Sequence, residues 1–311
     1  MFSHQRRVAI AVSRLFSKVD VITLDAEVDN PEILPGNLTI YPVDWNSNKF
    51  ILYRIFELLK VFFEVLFLTD HKDTIVFSHM TDLPCALISP ISKLFRVPHI
   101  LWYAHSHYSV YLKISTLFVT RILTSTEGSS PYQGKKLSII GQMVDEKVFQ
   151  SHDERSPKQF QTILHVGRLD PSKRIVEVIE AFLLTFGLDP DAKLFLIGSP
   201  TPGNDDYINQ IKAKYVQEIA NGRIGFLGKL GSKEVVDWMR KSDVLLHAYR
   251  GSLDKVLVEA ALLELPILST NSEFNRVFGT LTTPNNLKLE NSLLSQCQFF
   301  LIGGSLRLLS K

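Results

Sequence analysis

The chain has 311 residues, of which 45% are hydrophobic and 21% charged, and its formal net charge is +2. This composition is typical of a globular chain long enough for two domains, and it excludes intrinsic disorder, collagen and coiled coil. Because 34 basic residues nearly balance 32 acidic ones, we expect no nucleic-acid partner, and any bound anion must be held by a local cluster of residues.

The chain opens on a helical pattern in which Val8, Val12 and Leu15 recur at the spacing of one helix face. Basic residues lie on or near the side opposite to these three, and a solvated outer face is one interpretation of them. A basic face suits either docking on an anionic membrane or simple exposure to solvent, and both interpretations stay open. A doubly wound domain usually begins with a buried strand and a Gly-rich turn, so we expect the first strand of the N-terminal domain to be missing. The basic residues are Arg6, Arg7, Arg14 and Lys18.

Residues 49–68 are apolar for most of their length and about as long as a bilayer core requires. Four of their five charges, Arg54, Glu57, Lys60 and Glu64, recur at spacings of three and four, which places them on one helix face. Four charges at mid-span would be costly in a bilayer, so the pattern predicts a helix packed against a sheet. A helix lying in a membrane surface remains the alternative.

Strand-like runs alternate with helical patterns along most of the chain, which predicts parallel α/β sheets. The polar stretch at 150–159 separates two such series. We therefore predict two tandem Rossmann-like domains, 1–155 and 156–311. The last thirty or so residues show no clear alternation, and we expect the end of the second domain to be missing. Predicted strands lie at 19–25, 38–43, 74–79, 99–105, 121–126, 162–168, 193–199, 224–230, 244–249 and 266–270. Predicted helices lie at 82–95, 109–119, 173–186, 205–220, 232–242 and 255–264.

The cysteines and the N-terminus bear on localisation. Cys85 and Cys297 lack the spacing of a disulfide framework or of a zinc site, which fits a reducing compartment. The first apolar stretch is short, is interrupted by Ser13 and Arg14, and has no small-residue cleavage site, which argues against a signal peptide. We expect a cytoplasmic protein, with peripheral contact at the inner face of the cytoplasmic membrane as an open possibility.

The first candidate site follows the strand at 162–168. Gly167 and Arg168 end this strand, and Lys173 stands at the start of the next helix behind Ser172, a candidate N-cap. In open α/β sheets ligands bind at the carboxyl ends of the strands, so both cations and a helix N-terminus can converge on one anion, such as a diphosphate. The alternative is two solvated basic residues in a surface turn.

The second candidate site follows the strand-like run VLLHAY. Gly251 and Ser252 let backbone N–H groups approach a phosphate closely, and Asp254 or Ser252 can cap the helix that starts near Lys255. Glu259 lies in that helix among Val, Leu and Ala, where burial of an unpaired carboxylate is costly. Such a carboxylate accepts hydrogen bonds either from a ligand, such as the hydroxyls of a ribose, or from a neighbouring Lys or Arg.

Several segments between about Ile163 and Thr270 carry a family resemblance, namely GRLDPSK, LFLIGSP, FLGKLGSKEVVDWMRKSDVLLHAYRGSLDKVLVEA and ELPIL. In this order they resemble the nucleotide-sugar-binding domain of retaining glycosyltransferases of family 4, the group 1 glycosyl transferases. WYAH at 102–105 and GKKLSIIGQMVDEKVF are similar to parts of the family's acceptor domain. The resemblance implies the GT-B fold, in which two Rossmann-like α/β/α domains face each other across a cleft.

The resemblance also implies roles for individual residues. Arg168 and Lys173 match the basic pair that holds the donor diphosphate and stabilises the departing nucleoside diphosphate. Glu259 matches the second glutamate of the family's E-x7-E motif, which binds the donor ribose. His105 matches a histidine of the acceptor domain that faces the sugar, with His107 as the other candidate for that match. A histidine at a strand end is also commonly structural.

Two positions depart from the family's pattern. The first glutamate of E-x7-E, which normally contacts the sugar near the reaction centre, is Gly251 here. The loop GSLDK resembles a variant found in part of the family, so activity remains an expectation. The glycine that usually follows the lysine is Arg174. The resemblance thus implies donor contacts from Gly167, Gly251, Ser252, Leu253, Asp254 and Lys255.

We expect no metal and no cofactor besides the nucleotide sugar, which is a substrate. Negative charge develops on the leaving phosphate, and fixed cations and helix N-termini stabilise it. The sequence Asp189-Pro190-Asp191 has the D-x-D form of a metal-binding motif, but it precedes a strand and therefore lies at the wrong edge of the sheet. Retention of the anomeric configuration is implied by the family alone.

The sequence therefore predicts a glycosyltransferase of the hexosyltransferase type. It would move a sugar from a nucleotide-sugar donor to a saccharide or lipid-linked acceptor, in polysaccharide or lipopolysaccharide biosynthesis. The alternative is a non-catalytic or truncated homologue that binds a nucleotide sugar, which Gly251 in place of the motif glutamate would suit. A NAD-dependent dehydrogenase is disfavoured because no G-x-G-x-x-G sequence follows any predicted strand.

Overall fold

The chain divides into two compact units in a computed structural model. One comprises Met1–Thr124 and Pro131–Ile139, and the other comprises Ser125–Ser130 and Ile140–Lys311. The domain boundary predicted between residues 155 and 156 lies outside the described residues. The structure describes residues 3–24, 34–45, 49–142, 144, 148–149, 161–278 and 298–300.

The first unit contains six strands and four helices among its described residues. In chain order they are α1 (Ser3–Ser13), β1 (Val19–Thr23), β2 (Leu38–Pro42), α2 (Ile51–Phe67), β3 (Val76–His79), α3 (Asp82–Leu94), β4 (His99–Trp102), α4 (Val110–Phe118), β5 (Arg121–Thr124) and β6 (Leu137–Ile139). All strand pairs in this unit are parallel. The described strands form two sheets, β1-β2 and β3-β4-β5-β6.

Helix α2 packs against these sheets, as predicted for residues 49–68. Leu58, Phe62 and Leu66 recur every four residues and are its buried face. They join an apolar cluster with Ile22 of β1 and Val76 of β3, so one helix covers residues from both sheets. Within the described ranges, no helix is long and apolar enough to cross a membrane.

Helix α1 does not have the two faces that the sequence predicted. Arg6 is buried, whereas Leu15 is 79% exposed. The helix ends at Ser13, whose hydroxyl donates to the carbonyl of Ile10 at 2.8 Å, and Asn37 donates its side-chain amide to the Ser13 carbonyl at 2.7 Å. Because the helix ends before Leu15, that residue cannot extend the face of Val8 and Val12, and the predicted pattern was wrong at Arg6 and Leu15.

The second unit contains six strands and six helices among its described residues. They are β7 (Thr162–Val166), α5 (Ile175–Phe186), β8 (Lys193–Ile197), α6 (Asp205–Lys214), α7 (Val216–Ala220), β9 (Ile224–Gly228), α8 (Ser232–Lys241), β10 (Val244–His247), α9 (Lys255–Leu262), β11 (Ile267–Ser269), α10 (Ser272–Phe278) and β12 (Gln298–Phe300).

The six strands of this unit form one sheet in the order β12-β11-β10-β7-β8-β9. All pairs are parallel except β11 with β12. Every residue of β10 is buried, because helices cover both faces of a doubly wound sheet. The strand order reverses between β7 and β10, and in such folds this switch point is where ligands bind. The structure thus confirms the predicted α/β class and places both candidate loops beside the switch point.

Candidate functional site

The loops that follow β7 and β10 form one site in the second unit. Val244 and Leu245 of β10 pair in register with Ile163 and Leu164 of β7, so the carboxyl ends of the two strands are adjacent. The ammonium of Lys173, after β7, contacts the carboxylate of Asp254, after β10. The sequence indicated two separate candidate sites, and this ion pair joins them.

The β7 loop makes its turn through Asp170. A 3₁₀ turn covers Pro171–Lys173, and Asp170 caps it because its Oδ1 accepts from the backbone N–H of Ser172 at 3.0 Å. The prediction that Ser172 is the N-cap was therefore wrong. Arg174 follows with a left-handed backbone, φ 56 and ψ 50. Glycine adopts this conformation without steric cost, so Arg174 stands at a backbone position that favours glycine.

The two predicted cations differ in their surroundings. The side chain of Arg168 is 65% exposed, and its Nε lies 3.4 Å from Oδ2 of Asp170. Lys173 is only 10% exposed in its side chain, and its ammonium also lies 4.1 Å from the centre of the Tyr249 ring. Arg168 is thus accessible to a ligand from solvent, whereas Lys173 is held within the protein.

Asp254 is the centre of a buried polar cluster. Nε2 of His247 lies 3.1 Å from its Oδ2, the same oxygen that Lys173 contacts. Burial disfavours the charged carboxylate, but Lys173 and then His247 outweigh burial, so the pKa of Asp254 lies well below its usual range. Burial lowers the pKa of His247, although its bond to Asp254 acts in the opposite direction. The neutral form of the ring is therefore favoured.

Helix α9 begins without a side-chain cap. Asp254 stands at the N-cap position, but its carboxylate makes no capping hydrogen bond. The prediction that Asp254 or Ser252 caps this helix was wrong, because the Asp254 side chain binds Lys173 and His247 instead. The carbonyl of Asp254 still accepts from the N–H of Leu257 at 3.1 Å, so the backbone starts the helix.

Asn271 anchors the loop that carries Asp254. Its side-chain amide donates to the carbonyls of Tyr249, Gly251 and Ser252 at 3.1, 3.2 and 3.1 Å. Its Oδ1 accepts from the N–H of Phe274 at 2.8 Å, which caps α10. Asn271 is fully buried, so it holds the loop that follows β10 from the side that faces the protein interior. A polar residue two positions after the end of β11 was the available signal, and sequence reasoning missed it together with His247, Tyr249 and Asp170.

Gly251 and Gly198 both approach neighbouring atoms closely. A Cβ on Gly251 would lie 2.0 Å from the hydroxyl oxygen of Tyr249. This hydroxyl therefore stands where the side chain of the family's motif glutamate would begin. Gly167 donates its N–H to the Ile197 carbonyl at 3.0 Å. A Cβ on Gly198, whose φ is +146, would lie 1.8 Å from the Gly167 carbonyl oxygen, so only glycine fits at 198.

The remaining predicted contacts lie along the same loop and helix. Leu253 is buried and donates its N–H to the hydroxyl of Ser129 at 3.0 Å. Ser252 is buried as well. Oε1 of Glu259 lies 3.1 Å from the ammonium of Lys255, one helical turn away. This is the Lys pairing that the sequence left open as an alternative to a ribose, and a role of Glu259 toward a ligand stays a prediction.

His105 lies in the first unit, whereas the other predicted site residues lie in the second. Its ring is exposed, and Nδ1 accepts from the backbone N–H of His107 at 3.0 Å. A neutral His105 ring therefore carries its proton on Nε2. The hydroxyl of Tyr103 donates to the His107 carbonyl at 2.8 Å and braces this turn. The match of His105 or His107 to the family's histidine stays a prediction.

The D-x-D sequence lies in the turn before β8. Oδ1 of Asp189 accepts from the N–H of Asp191 at 2.9 Å. The turn precedes the amino end of β8, at the edge of the parallel sheet opposite to Arg168. Within the described part of the chain, no group of three or more His, Cys, Asp or Glu residues is arranged to hold a metal ion.

Comparison with known proteins bears on both the site and the fold. Residues 146–279, less than half of the chain, match the model of the family Glycosyl transferases group 1. No curated protein matches the chain in sequence.

Two solved structures show the fold. HepE from Anabaena, solved with UDP-glucose, superposes with a TM-score of 0.59 at 17% identity, over 75% of this chain and 66% of that chain. Sucrose-phosphate synthase from Thermosynechococcus elongatus superposes with a TM-score of 0.65 at 14% identity, over 86% of this chain and 74% of that chain. The GT-B fold class predicted from the sequence is confirmed. The chain spans about two thirds of the length of HepE.

Proposed function

We propose that this protein is a glycosyltransferase that moves a sugar from a nucleotide-sugar donor to a saccharide or lipid-linked acceptor. The observation that carries this proposal is the meeting of Arg168, Lys173 and the loop after β10 at the switch point of the sheet. Support comes from the match of this segment to the group 1 family. HepE, of similar fold, was solved with UDP and with UDP-glucose, so a uridine nucleotide is the first donor to test.

The chemistry follows from where charge develops. When the bond between the anomeric carbon and the phosphate oxygen breaks, negative charge grows on the leaving diphosphate. The exposed guanidinium of Arg168 offers a planar fork of donors to phosphate oxygens, and the held ammonium of Lys173 offers a fixed positive charge. These groups stabilise the leaving group without a metal ion, so metal independence is part of the proposal. Retention of configuration is also proposed, on the resemblance to family 4.

The nucleoside would lie along α9. Its ribose hydroxyls can donate to the carboxylate of Glu259, which is mostly buried and already contacts Lys255. Gly251 and Ser252 bring backbone groups close to the phosphates. Glu259 and Lys255 would therefore act as a pair, and the charge of Lys255 would be shared between the glutamate and the donor.

The acceptor side of the proposal is a glycan or a lipid-linked saccharide, and a role of His105 toward the sugar is proposed on the resemblance to family 4 alone. Phe50, Leu52 and Phe56 at the start of α2 are 89, 77 and 62% exposed. Arg54 and Lys49 lie among them, and apolar side chains beside cations suit the surface of an anionic membrane. We accordingly propose peripheral contact with the inner face of the cytoplasmic membrane, in polysaccharide or lipopolysaccharide biosynthesis.

A second candidate function is binding of a nucleotide sugar without turnover. It is favoured by the Tyr249 hydroxyl, which fills the place beside Gly251 where the motif glutamate would begin. Both functions predict donor binding, and only the first predicts transfer or hydrolysis of the sugar. Release of sugar from the donor that binds therefore separates them, measured with and without EDTA to test metal independence.

Donor binding is tested by calorimetry and thermal shift with UDP, GDP, ADP and their sugar conjugates. We expect one nucleotide to bind and Arg168→Ala to weaken it at least about tenfold, which is about 1.4 kcal/mol. In an active enzyme, the same variant should lose about 2–4 kcal/mol of transition-state stabilisation. Arg240→Ala is the matched control, because Arg240 lies in the last turn of α8, before the amino end of β10. If no nucleotide binds to the chain, the proposed function is wrong.

A further inference from the structure

Asp254 and Lys173 are 81 positions apart in sequence, and their side chains meet at the site where we place the donor diphosphate. We propose that Asp254, oriented by His247, is a positioning residue that holds the Lys173 ammonium in place for the diphosphate. This inference rests on the proposed function. Asp254 itself does not bind the donor phosphates, because a carboxylate repels them; it acts through Lys173.

The directions of the hydrogen bonds around His247 support this role. The backbone N–H of Asn271 donates to the hydroxyl oxygen of Ser269 at 3.0 Å. The Ser269 hydroxyl lies 3.0 Å from Nδ1 of His247. The ionised carboxylate of Asp254 can only accept, so the Nε2 that faces it must be the protonated nitrogen, and Nδ1 then accepts from the Ser269 hydroxyl. The neutral ring consequently carries its proton on Nε2 and donates it to Asp254, 3.1 Å away.

Two donors fix the position of one carboxylate oxygen of Asp254. Oδ2 of Asp254 receives the N–H of His247 and the ammonium of Lys173 together. The His247 ring is almost fully buried, with 1% of its side chain exposed. His247 is the last residue of β10, a fully buried strand that lies between β11 and β7. The carboxylate is thus oriented toward Lys173 by a buried ring that is hydrogen-bonded at both nitrogens.

The contact with Asp254 uses only part of the donor capacity of the Lys173 ammonium. An ammonium has three N–H donors, of which the Asp254 carboxylate needs one. The Tyr249 ring lies 4.1 Å from the same ammonium, and its π face attracts a cation without consuming a classical acceptor site. A lysine has a flexible four-carbon chain, and fixing its position before a ligand arrives lowers the entropic cost of binding.

The loop that carries Asp254 is equally fixed. Asn271 holds the carbonyls of Tyr249, Gly251 and Ser252 from below, and Ser129 accepts the N–H of Leu253. The backbone on the N-terminal side of Asp254 is therefore bonded at successive residues. Both the side chain and the backbone of Asp254 are anchored before any donor binds.

The test compares binding of inorganic diphosphate, UDP and uridine by calorimetry. We expect Asp254→Asn to weaken diphosphate and UDP at least tenfold and to leave uridine unchanged, since uridine has no phosphate for Lys173 to bind. In a Lys173→Ala background, Asp254→Asn should have no further effect. Asp206→Asn, at an exposed position in the first turn of α6, is the matched control and should bind as the wild type does.

Three results would overturn the inference. The first is that Asp254→Asn binds UDP as tightly as the wild type, and the second is that it binds UDP more tightly. The third is that Asp254→Asn weakens UDP binding as much in the Lys173→Ala background as it does alone. Failure of the wild-type chain to bind diphosphate, UDP or any other nucleotide would instead overturn the proposed function and the positioning role with it. Wild-type binding without an effect of Asp254→Asn overturns the positioning role alone.

A second pair of variants keeps the Asp254 carboxylate and changes His247, the residue that donates a hydrogen bond to it. Glutamine at position 247 retains a side-chain N–H that can reach Asp254, whereas leucine does not. We expect His247→Gln to keep most of the diphosphate affinity and His247→Leu to lose it. Nitrogen-15 NMR of labelled histidine should show the proton of His247 on Nε2 in the wild type, without any donor present. A proton on Nδ1 would refute the hydrogen-bond directions on which the inference depends.

Discussion

Removal of the Asp254 carboxylate should destabilise the second unit strongly. The side chains of Lys173 and Asp254 are 10% and 16% exposed, so Asp254→Ala leaves an ammonium buried without its compensating charge. Breaking a buried ion pair by removing one partner costs about 3–5 kcal/mol. Removing both charges with Lys173→Met and Asp254→Leu should restore most of that loss, because packed apolar side chains replace such pairs at little cost.

The contribution of Asp254 to the free energy of unfolding depends on pH. The pKa of Asp254 in the folded protein lies well below its usual range, so the unfolded state binds a proton first as the pH falls. The contribution of Asp254 is therefore fully present above about pH 5 and is lost progressively below about pH 4. Asp254→Ala should lower the free energy of unfolding at neutral pH and flatten its decline in acid.

The assay is urea unfolding followed by the fluorescence of Trp238, whose ring lies 4.7 Å from that of Phe195 in the second unit. The sequence has three tryptophans, so Trp45→Phe and Trp102→Phe in all variants leave Trp238 as the reporter. A loss below about 1 kcal/mol in Asp254→Ala, or an unchanged acid limb, would refute the argument that this pair is buried and charge-compensated.

Three further predictions concern other parts of the structure. Gly198→Ala should destabilise the protein by about 2 kcal/mol or more, since its Cβ would meet the Gly167 carbonyl. Gly222 also has a positive φ, but the space around it is open, so Gly222→Ala should cost about 1 kcal/mol. Burial lowers the pKa of His99 to about 4, so NMR should detect no titration of its ring between pH 5 and 8. Because the unfolded state takes up this proton first, the contribution of His99 to the free energy of unfolding should fall by about 3 kcal/mol as the pH drops from 6.5 toward 4. Asn271→Ala should cost about 2–4 kcal/mol in urea unfolding, because it leaves buried carbonyls without a donor.

Each of these has a result that contradicts it. Equal losses for Gly198→Ala and Gly222→Ala would mean that the backbone at 198 shifts to accommodate a methyl group. A midpoint near pH 6.5 for His99 would show that water reaches its ring. A small loss for Asn271→Ala would mean that water replaces its amide beneath the loop.

Much of the fold followed from local patterns. The buried run VLLH and the four-residue spacing of Leu58, Phe62 and Leu66 are set by which side chains avoid water, and that preference is written in the sequence. Alternation of strands and helices was enough to predict parallel sheets, and the rule for switch points placed both candidate loops at the carboxyl ends of strands. These predictions depend on neighbours in sequence, which is why they were reliable.

Capping and helix ends depended on finer geometry. Asp170 and Ser172 are both suitable cap residues, and only the course of the backbone decided that Asp170 accepts the hydrogen bond. The end of α1 at Ser13 depends on a bond from Asn37, 24 residues away. Because Asn37 lies outside the local pattern, periodicity alone could not indicate that the helix ends before Leu15.

The partners of the charged side chains were decided by tertiary structure. By itself, the sequence determined that Arg168, Lys173 and Asp254 follow strand ends, that Glu259 lies in the helix after one of them, and that a phosphate site there is chemically reasonable. Only the adjacency of β7 and β10 brought Asp254 to Lys173. The energy of a buried charge depends on the distance to its nearest opposite charge and on the exclusion of water, and both are properties of the folded chain.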